Sequence, residues 1–182
     1  MIQPEFERIG ARLFAEELVG GNFGNMSVRS GPGFFITRSG SYLDAPGTPV
    51  FVSMDGEVPA EASNEYRVHR EIYRNTRHAA IVHAHPLHAV ACSLLSDRVV
   101  PLDAEGLMLS PVIPVLEGRP GSDELASRVA SALGTSPVVI ARGHGTFAAG
   151  KTLDEAYIFT SLAEHSSRII LLLKRMDRSG IS

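Results

Sequence analysis

The length, composition and charge of the chain exclude several classes of protein. Its 182 residues are 44% hydrophobic and 20% charged, values that are ordinary for a globular domain with a buried core. A formal net charge of −3 with seven histidines argues against a nucleic-acid-binding protein that relies on attraction to phosphates. The longest apolar runs, such as residues 169–173, are far shorter than the ~20 residues that span a bilayer.

The cysteine content and the N-terminus bear on where the protein resides. The single Cys92 cannot form an intrachain disulfide, as expected in a reducing compartment. Residues 1–5 have neither the basic patch nor the apolar segment of a secretion signal. We therefore expect one cytoplasmic domain over residues 1–182, with no nucleic-acid or membrane partner.

The N-terminal third is predicted to form a helix followed by short strands. Apolar residues at helical spacing predict an amphipathic helix over residues 6–18 that stops at Gly20-Gly21. Strands are predicted at 26–29, 34–37 and 49–52, with a hairpin turn at Asp55-Gly56. The glycine-rich residues 20–25 suit either an ordinary helix-to-strand turn or a nest of backbone N–H groups that binds an anion.

The most informative stretch is the His83-Ala84-His85-Pro86 segment. Residues 79–83 form a nearly all-apolar run that predicts a buried strand. Because a strand turns successive side chains to opposite faces, His83 and His85 should point the same way and Ala84 away. Two imidazoles on one face suit either a metal chelate or a solvent-facing strand. Pro86 should end the strand and leave His85 at its open edge.

A glutamate precedes the histidine strand on a predicted helix over residues 65–75, capped by Ser63 or Asn64. A glutamate in a first helical turn commonly serves only the helix dipole. Here the helix, a short turn at 76–78 and the strand bring the chain back antiparallel. Glu65 is therefore expected near the far end of the strand, beside His85.

The C-terminal half alternates helices with extended segments. Helices are predicted over 87–95, over 123–133 with Ser122 as its cap, and from a capping box at Thr152 to about residue 174. Between them lie an extended segment at 110–115, a buried strand at 137–141 and its hairpin partner at 146–150. His144 falls in the turn of that hairpin with a glycine on each side, which leaves room for another group to reach its imidazole.

Three histidines together complete a possible metal site. A catalytic zinc site needs three protein ligands and an open position, and His83, His85 and His144 supply that number. Imidazole nitrogens suit Zn²⁺ first, with Fe²⁺, Co²⁺ or Mn²⁺ as substitutes. A carboxylate such as Glu65 could then move a proton beside a polarised carbonyl, which is sufficient for carbon–carbon bond cleavage.

These residues and their order along the chain resemble those of the class II aldolase/adducin family, in its branch of zinc-dependent L-fuculose-phosphate aldolases. The resemblance rests on six motifs in the same order, at residues 21–29, 36–40, 62–66, 82–85, 142–145 and 150–156. It implies a three-layer α/β/α domain with a mixed, largely antiparallel sheet, assembled as a homotetramer.

The resemblance also implies roles for individual residues. His83, His85 and His144 would bind one zinc ion per chain, and Glu65 would be the acid/base. The phosphate of a sugar phosphate would lie against Gly24, Asn25, Ser39, Gly40, Ser63 and Asn64. The implied reaction is retro-aldol cleavage of a phosphorylated ketose to dihydroxyacetone phosphate and an aldehyde.

Several residues depart from the family pattern and bear on the substrate. Asn22-Phe23 stands where members often carry Thr-Ser, and Asn64 stands in place of a second serine. Residues 107–120 contain no tyrosine, whereas fuculose-phosphate aldolases use one there as an acid toward the aldehyde. Alternatives on the same scaffold are an epimerase, a dehydratase, a keto-acid decarboxylase and a non-catalytic adducin-like interaction domain.

Overall fold

A computed structural model describes residues 2–178 of the chain. Within that range there are six helices and eight strands. The helices are α1 (Gln3–Ala15), α2 (Tyr66–Asn75), α3 (Leu87–Ser93), α4 (Ala104–Leu109), α5 (Asp123–Ala132) and α6 (Leu153–Arg178). The strands are β1 (Asn25–Ser30), β2 (Gly33–Ile36), β3 (Val50–Ser53), β4 (Ala80–Ala84), β5 (Arg98–Val99), β6 (Ile113–Leu116), β7 (Val138–Ala141) and β8 (Gly145–Gly150).

The strands form one sheet in the order β3-β2-β1-β4-β8-β7-β6-β5. Neighbouring strands are antiparallel except for β6 and β7, which run parallel. Strand β4 lies between β1 and β8, so all five of its residues are buried. The histidine strand is therefore held on both edges near the middle of the sheet.

Helices cover both faces of the sheet, and the apolar residues of each strand divide between them. Ile81 and Phe147 pack against α2 and α5 in one buried cluster. Val82 joins a cluster with α1 and α6 on the opposite face, and Ile140 joins one with α3 and α6. This period-two alternation confirms the predicted three-layer α/β/α fold with a mixed, largely antiparallel sheet.

Helix α1 ends earlier than its apolar spacing predicts. It stops at Ala15, because Glu17 adopts a left-handed backbone with φ of 57°. The N–H of Leu18 then donates back to Leu13 O at 2.9 Å, which closes the helix end. Leu18 remains buried after the helix has ended, so its apolar character reports burial but not helicity.

Two further segments differ from the sequence prediction. The hairpin predicted at Asp55-Gly56 does not form; instead Ser53 Oγ accepts hydrogen bonds from the N–H groups of both residues. Helix α4 and the two-residue strand β5 were not predicted. The Asp103 side chain caps α4 by accepting from Gly106 N at 2.9 Å.

A buried polar network fastens α2 to the sheet. The Ser27 hydroxyl on β1 shares hydrogen bonds with His69 Nδ1 at 2.6 Å and with the Tyr73 hydroxyl at 2.7 Å. Arg29 lies over the Tyr73 ring and donates to Tyr73 O. Burial lowers the pKa of His69 to about 3, so the imidazole is neutral in the folded protein.

None of the helices described between residues 2 and 178 is long and apolar enough to cross a membrane.

The buried His69 should make stability depend on pH. Its pKa is about 3 when folded and 6.5 in an ordinary setting, so the unfolded chain binds the extra proton between these values. The contribution of His69 to the free energy of unfolding is therefore complete above about pH 6.5. It falls as the pH drops toward 3, by at most ~1.4 kcal/mol per pH unit. His69→Asn keeps a polar atom near Ser27 but does not titrate.

Urea unfolding of both proteins at pH 7, 6 and 5 measures this contribution. We expect the wild type to lose its stability advantage over His69→Asn as the pH falls, since other titrating groups cancel in the comparison. A stability difference that stays constant with pH would contradict this account of His69.

Candidate active site

Strand β4 and the residue that follows it place His83 and His85 on one face of the sheet. Their Nε2 atoms lie 3.0 Å apart, whereas Ala84 between them packs into the apolar cluster on the opposite face. His83 is fully enclosed, and its ring stacks on Phe147 of β8 with 4.1 Å between centroids. Pro86 follows the strand and precedes α3, so the backbone leaves the sheet directly after His85.

His144 reaches the same place from the turn between β7 and β8. Gly145 permits this approach, because a Cβ at that position would collide with the Ala84 carbonyl of β4. Arg142 fixes the turn from outside by hydrogen bonds to Ser93 O and to the Asp97 carboxylate. The ligand atoms of His83, His85 and His144 consequently all lie within 4.8 Å of one another.

The three imidazoles are in the neutral form that binds metals. Burial, followed by the proximity of His85 and His144, keeps the pKa of His83 well below its ordinary value. Burial, followed by His144, lowers the pKa of His85 to about 4, and burial lowers the pKa of His144. The Thr146 carbonyl accepts from His83 Nδ1 at 2.8 Å, which leaves the Nε2 lone pair pointing toward the other histidines.

Glu65 lines the same cavity as the three histidines. It is the residue that precedes the first turn of α2, and its N–H donates to Ser63 Oγ at 3.4 Å. Its Oε2 is buried with no hydrogen-bond partner among the described residues. Burial raises the pKa of this carboxyl group, so the protonated and ionised forms are closer in free energy than in water.

The cavity has a volume of about 380 Å³ and is lined by every residue predicted to belong to the site. Its lining comprises Asn22, Phe23, Gly24, Asn25, Arg38, Ser39, Gly40, Ser63, Asn64, Glu65, His83, His85 and His144. Arg38 was not among the predicted site residues, although it directly precedes the Ser39-Gly40 turn. Its position in a turn with two hydroxyl groups, those of Ser39 and Ser41, was the signal that could have placed it there.

Two backbone contacts bring the loops of the cavity together. Ser39 N donates to Glu61 O at 2.8 Å, and Ser63 N donates to Thr37 O at 3.1 Å. These bonds flank a bridge between Arg38 and Ala62. The Ser39-Gly40 turn and the Ser63-Asn64 turn therefore line one side of the cavity, although they are far apart in sequence.

Gly24 allows the glycine-rich loop to lie directly against the histidine strand. It has φ of 81°, and a Cβ there would be 2.7 Å from His83 O and 3.0 Å from Val19 Cγ1. The next residue, Asn25, is the register partner of His83. Asn25 Oδ1 is buried and has no hydrogen-bond partner in the described chain, so the amide is available to a ligand.

The remaining histidines lie outside this cavity. His88 Nδ1 contacts the Glu164 carboxylate at 2.6 Å, and that carboxylate also accepts from the first N–H groups of α3. His78 Nε2 lies 2.9 Å from Leu133 O. His69 belongs to the network beneath α2, and His165 lines a separate cavity on α6.

A mixed eight-stranded sheet with three clustered histidines at one strand end is the architecture of a class II aldolase domain. The Class II Aldolase and Adducin N-terminal domain family matches residues 5–171, and the chain belongs to that family. It is accordingly a class II aldolase-type enzyme, a metal-dependent aldehyde-lyase.

Individual relatives agree with this assignment. A solved L-fuculose-1-phosphate aldolase from Thermus thermophilus has a TM-score of 0.94 at 38% identity, over 98% of this chain and 97% of that one. The L-fuculose phosphate aldolase of Methanococcus vannielii is 30% identical over 179 residues, covering 96% of this chain and 98% of its own. A 3-oxo-tetronate 4-phosphate decarboxylase of Cupriavidus necator is 34% identical over 141 residues, which is 71% of this chain and 65% of its own.

The close approach at Gly24 generates a prediction about stability. Gly24→Ala places a methyl group against His83 O and also forces a side chain into positive φ, a conformation that costs ~1–2 kcal/mol. Gly21→Ala is the matched control, since Gly21 has φ of 55° but nothing within 4 Å of the added Cβ. Urea unfolding should show a larger loss for Gly24→Ala, and equal losses would mean that the contact with His83 O is unimportant.

Proposed function

We propose that the chain is a zinc-dependent lyase that cleaves a phosphorylated ketose, similar to fuculose 1-phosphate, to dihydroxyacetone phosphate and an aldehyde. The observation that carries this proposal is the meeting of three neutral imidazoles and a buried, unpaired carboxyl group in one cavity. The Thermus thermophilus and Methanococcus vannielii relatives, both named as fuculose phosphate aldolases, support the choice of substrate class.

In this proposal His83, His85 and His144 hold one metal ion per chain. The buried His144 Nδ1, which has no hydrogen-bond partner among the described residues, and the short His83 to His85 contact fit a cation between the rings. Three imidazoles without a carboxylate suit Zn²⁺ first, with Fe²⁺, Co²⁺ or Mn²⁺ as substitutes. A bound divalent cation supplies a Lewis acid that polarises the substrate carbonyl and stabilises negative charge on its oxygen.

Glu65 moves the proton at the carbon beside the carbonyl. In the cleavage direction its carboxylic acid gives a proton to the carbon released from the broken bond, and in the synthesis direction its carboxylate removes that proton. Both roles need a carboxyl group whose pKa lies closer to neutrality than that of an exposed glutamate. The burial that raises the pKa of Glu65 provides this.

The polar side of the cavity is suited to the phosphate of the substrate. Hydroxyl groups of Ser39 and Ser63, the side-chain amides of Asn25 and Asn64, and the backbone at Gly24 and Gly40 line it together. Such donors bind phosphate oxygens without adding negative charge. Arg38 adds a cation to this group and strengthens the preference for an anion.

The proposed assembly is a homotetramer, as the family resemblance implies, and its proposed location is the cytoplasm, as the single cysteine suggests. Large apolar side chains are exposed on α3, on α4 and between them, including Leu87, Leu94, Leu95, Leu102 and Met108. Association with other copies would remove these side chains from water, which favours an oligomer.

A decarboxylase is the second candidate, because the Cupriavidus necator relative carries that name. Decarboxylation of a keto acid phosphate would use the same carbonyl polarisation and the same phosphate site. Epimerisation and dehydration would likewise keep the metal ligands and change only the bond that breaks. An adducin-like interaction domain has no need of the metal ligands together with Glu65 and is the least favoured alternative.

Metal analysis of the purified protein tests the ligand assignment. We expect about one zinc-like ion per chain in the wild type and little metal in the His83→Ala/His144→Ala double variant. His165→Ala is the control, since His165 is exposed and lies outside the cavity. Full metal retention by the double variant would show that the ion binds elsewhere.

Substitution of Glu65 separates proton transfer from metal binding. Glu65→Gln preserves the shape of the side chain but cannot carry the proton, so turnover should fall by at least ~100-fold with unchanged metal content. Glu61→Gln, on an exposed residue of the same loop, should retain both. Unchanged turnover in Glu65→Gln would remove Glu65 from the reaction.

A further inference from the structure

A second cavity meets the metal-site cavity at Phe23 and His85. It is a groove of about 600 Å³ at the end of α1, lined by Phe14, Ala15, Glu17, Val19, Gly20, Gly21, Phe23 and His85. Phe23 and His85 also line the polar cavity that contains Glu65. A molecule bound at the three histidines would therefore have space to extend past these two rings into the groove.

The Phe23 ring covers one face of His85 and is otherwise open to solvent. The two rings are parallel to within 4°, their centroids are 5.5 Å apart, and 57% of Phe23 is exposed. A turn fixes the residue, since Phe23 N donates to Gly20 O at 3.2 Å. Covering an exposed aromatic ring with an apolar group is favourable, because both surfaces are removed from water. The ring therefore favours an apolar group beside the metal-site histidines.

The groove and the polar cavity differ in their chemistry. The polar cavity has hydroxyl groups, amides and Arg38, which suit an anion. The groove has no hydroxyl or amide side chain in its lining and carries one charged group, the Glu17 carboxylate. A carboxylate at its edge disfavours a second anion, and the surrounding carbon atoms do not compensate for the lost hydration of hydroxyl groups.

We infer that the groove receives the distal end of the aldehyde fragment, and that Phe23 makes the enzyme prefer uncharged aldehydes that end in an apolar chain or ring over aldehydes that end in a hydroxymethyl or an anionic group. This inference rests on the proposed aldolase function. In the synthesis direction a carbon–carbon bond forms between dihydroxyacetone phosphate and the aldehyde carbon. Glu65 takes the proton from the ketone fragment, and the aldehyde oxygen takes up one proton, so the addition needs no further reactant.

The test is the condensation of dihydroxyacetone phosphate with four aldehydes, catalysed by the zinc-loaded full chain. Isobutyraldehyde and benzaldehyde represent apolar aldehydes, glyceraldehyde a hydroxylated one and glyoxylate an anionic one. We expect kcat/KM to be at least ~10-fold higher for the apolar pair, since one or two apolar groups in a pocket discriminate by that factor or more.

Variants of Phe23 identify the source of the preference. Phe23→Ser should lower the ratio of kcat/KM for the apolar aldehydes to kcat/KM for glyceraldehyde by most of the ~10-fold preference, with zinc still bound, and Phe23→Leu should largely retain that ratio. Tyr42→Ser is the matched control, because Tyr42 is also 57% exposed but lines neither cavity.

The outcomes separate this inference from the function on which it rests. Condensation with at least one aldehyde supports the aldolase function whatever the preference. Condensation without an apolar preference, a preference that survives in Phe23→Ser, or loss of zinc from Phe23→Ser would overturn the role of Phe23 alone. No condensation with any of the four aldehydes would overturn both proposals.

Discussion

The register of strand β4 is the constraint on which the rest of the site depends. On one edge it places His83 opposite Asn25, and on the other it places His83 opposite Phe147. The first pairing sets the glycine-rich loop beside the histidines, and the second sets the β7–β8 turn where His144 reaches them. A shift of one residue would turn His83, and His85 after it, to the α1 face. The sheet register therefore sets the geometry of the histidine cluster.

Burial acts on the ionisable groups of the cavity in opposite directions. It lowers the pKa of His83, His85 and His144, so the rings keep the lone pairs that a cation needs. The same low polarity raises the pKa of Glu65, which favours a carboxyl group that can both take and return a proton. A cation bound between the imidazoles would add positive charge near Glu65 and oppose that rise. Metal binding and proton transfer are thus expected to influence each other.

Much of this site could be predicted because its signals are local. The two-residue spacing of His83 and His85 defines a shared face on any strand, and the short connection from α2 to β4 brings Glu65 back toward them. The groove could not be predicted, because it depends on where α1 ends. That end is fixed by the left-handed backbone of Glu17, at a residue type that rarely adopts it. The stacking of Phe23 on His85 likewise requires three-dimensional packing that spacing does not encode.

In the proposed reaction, the three clustered histidines and Glu65 together activate the carbon beside a carbonyl. The most direct measurement is proton exchange of dihydroxyacetone phosphate in D₂O with the zinc-loaded protein and no aldehyde, followed by NMR. We expect one proton of the hydroxymethyl carbon to exchange in the wild type, and exchange to stop in Glu65→Gln with its zinc in place. Absence of exchange in the wild type, or undiminished exchange in that variant, would contradict the account.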